Sequence, residues 1–332
     1  MTDKSPVAAA GVPGVVMSGT GGVWQVRLEG GRSVDASMRG RLKKSNSGKR
    51  ADGSLRRDTV LAAASSLKLA VGDDVLLEHD EREEAWTICE ILPRRSKLAR
   101  RAPGGGQGER IVAANVDQVV VMFAAANPEP HPRMLDRFLV IAEGNDLAAR
   151  IVINKIELVG EAAARERFGM YERAGYAVHY TSVKQSLGLE PLRDALAGRR
   201  SAITGPSGVG KSSILNALFP GANLRVGEIS ESVNKGRHTT VGALMLALPA
   251  AAGGYVIDTP GLREVGLWAL PSEHLDRCFP ELRSRAEGCR FADCRHTAEP
   301  DCAVRDALAA GEIDPQRYDS YVRLLEELDA ER

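Results

Sequence analysis

The nine residues Gly205-Pro206-Ser207-Gly208-Val209-Gly210-Lys211-Ser212-Ser213 constrain this 332-residue chain more than any others. They follow the apolar run RSAIT and open the segment KSSILNAL, so a strand turns over glycines directly into a helix. Such a turn gathers backbone N–H groups at a helix N-terminus, where an anion is favoured by both the donors and the dipole. The spacing Gly-x4-Gly-Lys-Ser predicts a phosphate cradle in an α/β domain. Lys211 would reach the β- and γ-phosphates, and the Ser212 hydroxyl would sit on Mg²⁺. An ordinary glycine-rich turn requires neither the lysine nor the helix.

A phosphate loop alone does not choose between ATP and GTP. The segment YVIDTPGL (255–262) narrows the choice. A strand ending in Asp258, with Gly261 three residues on, predicts an Asp-x-x-Gly switch. Asp258 would hold Mg²⁺ through water, and the Gly261 amide would meet the γ-phosphate. Between the two lies NKGRHTT (234–240), where a switch threonine belongs; Thr240 is the first candidate and Thr239 the second. Upstream, RIVINKIEL (150–158) places Asn154, Lys155 and Glu157 in the pattern Asn-Lys-x-Asp, with Glu for Asp. Asn154 would pair with the purine edge and Lys155 would brace the phosphate loop. Glu157 would accept from the guanine ring N–H and amine. In YTSVKQS (180–186), Ser182 and Val183 stand where a Ser-Ala-Lys loop offers a backbone N–H to guanine O6.

These elements run in the order base, base, phosphate, switch I, switch II. Joining the usual chain ends and reopening after switch II gives that order without disturbing the sheet, because chain ends often lie close together. The central domain is therefore expected to be a circularly permuted α/β P-loop GTPase.

The flanks have a different texture. Residues 14–92 read as short β-segments with paired glycines, predicting a small barrel of the OB-fold type. Within them, residues 39–57 carry eight basic residues against one Asp and are expected to form an exposed loop. Residues 1–13 are expected to be a disordered lead. Residues 93–110, with six basic residues and several glycines, are expected to be a basic, flexible linker. From 111 to 270 apolar runs alternate with helix-like segments, and 271–332 reads as helical around a cysteine cluster. The first 110 residues carry 19 Lys/Arg against 14 Asp/Glu, although the whole chain is neutral; that asymmetry favours a nucleic-acid-facing N-terminal part. No apolar run approaches the ~20 residues that span a bilayer, and the N-terminus lacks the pattern of a signal peptide. A cytoplasmic protein, independent of membranes, is expected. In that setting three of five cysteines within CRFADCRHTAEPDC point to metal rather than disulfides. Cys89 and Cys278 are expected to be buried as small hydrophobes.

A barrel-like N-terminus, a permuted GTPase core and a C-terminal Cys/His cluster together resemble the ribosome small subunit-dependent GTPase A family, over residues 14–325. The resemblance implies an OB-fold, a permuted G domain and a helical zinc domain. It also implies GTP hydrolysis stimulated by the small ribosomal subunit, late in subunit maturation. The family's zinc pattern falls on Cys289, Cys294, His296 and Cys302, a closed Cys₃His set that suits one structural Zn²⁺ and leaves no position for a catalytic water. The position after Gly261 is Leu262, which cannot orient water as the glutamine of some GTPases does. In the family the histidine of the Gly-Arg-His-Thr-Thr segment is the proposed substitute, here His238. The basic stretches 39–57 and 93–110 are then candidates for rRNA contact. The expected partners are GTP, GDP, the small ribosomal subunit and its rRNA, with the chain acting as a monomer.

Two rivals remain at the level of sequence. A P-loop ATPase or kinase that happens to carry Asn-Lys would prefer ATP in competition. A non-enzymatic zinc/OB RNA-binding module would bind nucleotide no better with Lys211 than with alanine there.

Overall fold

The computed structural model describes residues 11–39, 68–101, 109–220, 243–249, 251–259 and 270–330. The N-terminal strands β1 (Val12–Thr20), β2 (Val23–Leu28), β3 (Ser33–Met38), β4 (Asp74–Asp80) and β5 (Ala85–Ile91) close into a barrel in the order β1-β2-β3-β5-β4. All neighbours are antiparallel except β3 and β5. That is the OB-like barrel expected from the spacing of strands and turns. Alternate residues line its core, among them Val16, Val26, Val34, Val75, Leu77 and Ile88, and Trp24 and Trp86 pack against it from the side. Cys89 is only half-buried rather than sealed in the core, and its thiol donates to the Leu76 carbonyl at 3.1 Å.

The stretch expected to be a flexible linker, residues 93–110, instead supplies one strand and the first two residues of another, and its residues 102–108 lie outside the described residues. β6 (Lys97–Arg101) and β7 (Glu109–Ala114) form an antiparallel ladder. Leu98 and Ala113 are fully buried beneath it, and Ser96 Oγ donates to the Val116 carbonyl at 2.5 Å. Dense arginine and glycine had masked an apolar side only a few residues long.

The central sheet has the order β10-β9-β8-β11-β13-β12. Strands β8 (Gln118–Ala124), β9 (Ala148–Asn154), β10 (Ala177–Tyr180), β11 (Arg200–Thr204) and β13 (Tyr255–Asp258) are parallel, and β12 (Leu244–Ala247) runs antiparallel at one edge. Every residue of β8 is buried, as a central strand covered on both faces requires. On one face Val119, Val121 and Phe123 meet α1 (Pro132–Glu143) and α2 (Glu161–Arg173). On the other, Val120 and Met122 meet α3 (Leu189–Leu196) and α4 (Lys211–Leu218).

The C-terminal region holds α5 (Pro280–Ala286), α6 (Ala303–Ala309) and α7 (Pro315–Ala330), and its apolar side merges with the α1 face of the sheet. Arg317 fastens the two together. Its guanidinium, 1% exposed, lies 2.5 Å from Asp136 of α1 and 2.6 Å from Glu281 of α5, with the Phe279 ring 4.5 Å from its carbon. Ser320 donates to the other Asp136 oxygen. Desolvation would lower the Arg317 pKa, but Asp136 and Glu281 push it up. Burial pushes the Asp136 carboxyl up, against the pull of Arg317.

Removing one partner of a buried ion pair strands the other charge, which costs about 3–5 kcal/mol. Arg317→Met is expected to destabilise the protein by that order. Chemical denaturation of the parent and variant checks it, and a shift within measurement error would show that the network contributes nothing.

Candidate functional site

The carboxyl ends of β8, β9, β10, β11 and β13 lie along one edge of the sheet, where ligands of open α/β sheets bind. The phosphate loop curls from the end of β11 into α4. Gly205 (φ +136°) lies so close to β8 that a Cβ would stand 2.0 Å from the Met122 carbonyl oxygen. At Gly210 (φ +95°) a Cβ would stand 2.5 Å from Asn154 Nδ2. Only glycine allows both approaches, so these two residues seat the loop as well as bend it. Lys211 and Ser212, buried, begin α4. The Lys211 ammonium donates to the carbonyls of Gly205 at 3.0 Å and Pro206 at 2.7 Å, across the mouth of the loop. Asp258 ends β13 in a buried position, and Thr259 Oγ1 donates to the Ile203 carbonyl at 3.2 Å. The first-turn N–H groups of α4 have no intrahelical acceptor and present a positive end to the same space.

The loop after β9 is joined to the phosphate loop by two side chains. Asn154 Nδ2 donates to the Val209 carbonyl at 2.9 Å. Lys155 takes a left-handed backbone (φ 61°), which swings its ammonium back to the carbonyls of Gly208, at 2.7 Å, and Asn127. Lys155 thus ties its own loop to the turn at Gly208. Thr181 Oγ1 donates to Asn154 Oδ1 at 3.2 Å, which fixes the orientation of the amide. Glu157 follows on a short 3₁₀ turn, and its Oε2 is buried with no hydrogen-bond partner. An unpaired buried carboxylate oxygen is costly unless a donor arrives.

The loop after β10 closes on itself. Ser182 N–H donates to the Leu187 carbonyl at 3.1 Å, and Ser182 Oγ accepts from the Gln185 N–H at 3.1 Å. Among the described residues the Val183 N–H meets no acceptor. The Val183 N–H is therefore open to a ligand, as is that of Lys184, and Ser182 shapes the loop.

Two contributors escaped sequence reading. Thr181 stands immediately before Ser182 in the quoted segment and was readable as part of it. Asn127 acts through its carbonyl oxygen, which no residue type reveals. The candidates His238, Thr239, Thr240 and Gly261, with Leu262, lie outside the described residues, as do residues 40–57 of the basic stretch 39–57.

A second constellation lies in the C-terminal region. The ligand atoms of Cys289, Cys294, His296 and Cys302 all lie within 4.8 Å of one another. Cys289 and Cys302 sulfurs are 3.9 Å apart, and each is 3.5 Å from His296 Nδ1. A tetrahedral ion with Zn–S near 2.3 Å and Zn–N near 2.0–2.1 Å sets S···S at about 3.8 Å and S···N at about 3.5 Å. The four residues fit zinc. The far ring nitrogen, Nε2, faces Asp276 at 3.7 Å, as a carboxylate behind a metal-bound histidine does. Around the centre, Tyr318 donates to the His296 carbonyl at 2.6 Å and Tyr321 to that of Arg295 at 2.8 Å. Glu299 accepts from the N–H groups of Arg295, Thr297 and Ala298. Its slight burial would raise the carboxyl pKa, but its own backbone N–H and then those bonds hold it down at about 2. Cys278 stays apart from the centre. It is buried as expected, and burial pushes its thiol up to about 12.

The chain is similar to known GTPases over most of its length. The RsgA GTPase family model matches residues 91–268. A protein of Gemmatimonas aurantiaca, named small ribosomal subunit biogenesis GTPase RsgA, is 56% identical over 316 residues, covering 95% of this chain and 97% of that one. A protein of the same name from Shewanella oneidensis is 38% identical over 289 residues, covering 85% and 80%. The crystal structure of YjeQ from Thermotoga maritima superposes with a TM-score of 0.75 at 32% identity, covering 97% of this chain and 99% of that one. That of YloQ, described as a circularly permuted GTPase, gives 0.71 at 25% identity over 100% and 99%. With a phosphate loop, an Asn-Lys loop wired to it and strands in permuted order, the chain belongs to the RsgA GTPase family.

Proposed function

We propose that this GTPase binds GTP at the carboxyl edge of the central sheet and hydrolyses it during maturation of the small ribosomal subunit, the process for which its relatives are named. The observation that carries the nucleotide assignment is the junction of Asn154 and Lys155 with Val209 and Gly208, beside the unpaired Glu157 oxygen. Base and phosphates would be read by loops that hold one another in register.

In this reading residues 205–213 surround the phosphates. Lys211 moves from its carbonyl partners onto the β- and γ-phosphates, exchanging neutral acceptors for charged ones. Asn154, Glu157 and the Val183 N–H address guanine. The glutamate carboxylate accepts from two donors that adenine does not offer, so it favours GTP over ATP. Mg²⁺ would be held by Ser212 and, through water, by Asp258, and would neutralise phosphate charge as the bond to the γ-phosphate breaks. Thr240 or Thr239 and the Gly261 amide complete the γ-phosphate contacts, and His238 orients the attacking water once its segment closes. Leu262 cannot do so, hence slow turnover by the isolated protein.

Zinc at Cys289, Cys294, His296 and Cys302 is structural in this reading, with all four protein ligands engaged. The partners are the small subunit and its rRNA, met by the barrel and the basic segments. We place the protein in the cytoplasm as a monomer. Among the described residues no helix is long and apolar enough to cross a membrane.

GTP turnover is expected to rise with added small subunits and to exceed ATP turnover at each concentration. Phosphate release under titration of purified subunits measures both, and a flat GTP response would refute the ribosomal reading. A charge-assisted hydrogen bond contributes about 1.5–3 kcal/mol. Glu157→Ala is therefore expected to weaken GTP binding roughly 10- to 100-fold while changing ATP binding little, as titration calorimetry would show. Glu157→Asp should keep the preference for GTP. Zinc should be found at one equivalent per chain by elemental analysis. Its removal with a strong chelator should lower the melting temperature; a chelated protein with unaltered melting would exclude a structural ion.

A further inference from the structure

At the opposite edge of the sheet, where the parallel strands begin, several arginines gather. Two are matched. Arg95 lies 3.1 Å from Asp117, and Arg200 lies 2.7 Å from Asp74 of the barrel. Arg150, on β9, is not. Its Nε donates to Gln118 Oε1 at 2.8 Å, and its Nη1 lies 3.4 Å from His179 Nε2. Gln118 is itself held by the Ala195 carbonyl at 2.7 Å and Ser201 Oγ at 2.9 Å, so the guanidinium is fixed in direction.

Both partners of Arg150 are neutral groups. Burial and then Arg150 hold the His179 pKa below the usual histidine value. Burial and then Arg199 likewise hold Arg150 below the usual arginine value. Arg199 is exposed, and among the described residues no carboxylate pairs with either arginine. The carboxyl end of α3 offers only a fractional negative charge, and its Ala195 carbonyl is already engaged by Gln118. A half-buried, oriented cation without a counter-charge favours an anion, and Arg199, exposed just before β11 at the same end of the sheet, adds positive charge there.

We propose that Arg150 and Arg199 form a binding site for the phosphodiester backbone of RNA. The edge adjoins the OB-like barrel through the Arg200–Asp74 pair, and barrels of this kind bind nucleic acid. The inference rests on the proposed action at the small ribosomal subunit and adds a contact surface to it. Neither arginine belongs to the nucleotide site, which lies at the other end of the strands.

The test compares the parent, R199Q, R150Q/R199Q and R150K in binding purified small subunits and a synthetic RNA duplex between about 50 and 200 mM salt. Each lost phosphate contact should flatten the log affinity against log salt slope by about one. R150K should keep the slope, and basal GTP turnover should stay at the parental rate in every variant. If R150Q/R199Q does not fold, R199Q, altered only at an exposed side chain, carries the test. Unchanged slopes on both ligands, with the parent binding subunits normally, would overturn this site and leave the ribosomal reading intact. A parent that fails to bind subunits would instead overturn that reading, while a flattened slope on the duplex would still support the site. Weakened subunit binding with an unaltered duplex slope would overturn the RNA assignment in favour of an acidic protein surface.

Discussion

The hydrogen bond from Asn154 to the Val209 carbonyl joins two loops that lie far apart in the chain, and the geometry of the nucleotide edge follows from it. Asn154 ends β9 and Val209 sits in the turn from β11 to α4. The bond forms only because Gly210 leaves room for the amide and Thr181 orients it. Lys155 adds a charged donor to the same turn. A carbonyl held in this way cannot swing inward, so the N–H groups of the turn keep facing the space that phosphates would fill. The preorganisation lies in the loops themselves and carries little of the reordering cost that weakens binding.

The two flanking regions are attached to the central sheet by charge networks of different character. The barrel meets it through Arg200, Asp74 and Asn115, with Asn115 Nδ2 donating to the Gly72 carbonyl at 3.0 Å. These groups retain partial solvent contact at Arg200 and Asp74, and such joints are weak individually. The C-terminal region meets it through Arg317, whose charge is nearly dry. Its contribution is orientation more than stability, because a buried pair returns little beyond its own desolvation. Loss of one partner is costly for the same reason.

Much of the central domain was legible because its chemistry constrains it tightly. A Gly-x4-Gly-Lys-Ser turn needs a strand before it and a helix after it. Strands buried on both faces, such as β8 and β9, leave uninterrupted apolar runs. The permuted order needed only the positions of Asn154 and Lys211. The barrel was legible as strands and turns, but its closure by parallel β3 and β5 leaves no local mark. The β6–β7 ladder was hidden because arginines and glycines outnumber the residues it buries. Cys89 was misplaced because the preference of cysteine for burial is an average, and this strand position is half open. Thr181 and the Asn127 carbonyl act by geometry, which the sequence records only through neighbours. The cluster of Cys289, Cys294 and Cys302 pointed to a metal by its composition, and the full set with His296, gathered within reach of one ion, came from the resemblance to the family's pattern.

The place of β8 in the sheet also bears on how the chain is made. It is the first strand of the central domain to leave the ribosome, yet it occupies an interior position between β9 and β11. β9 and β10 follow soon and can pair on one side. The other side stays open until Arg200–Thr204 has been synthesised, since β11 is its only remaining neighbour. Through that interval a three-stranded, strongly apolar fragment presents an unpaired edge, which invites association with other chains. The half of the domain that carries Asn154 therefore exists first as a nascent fragment, and the segment from β11 into α4 seals the sheet.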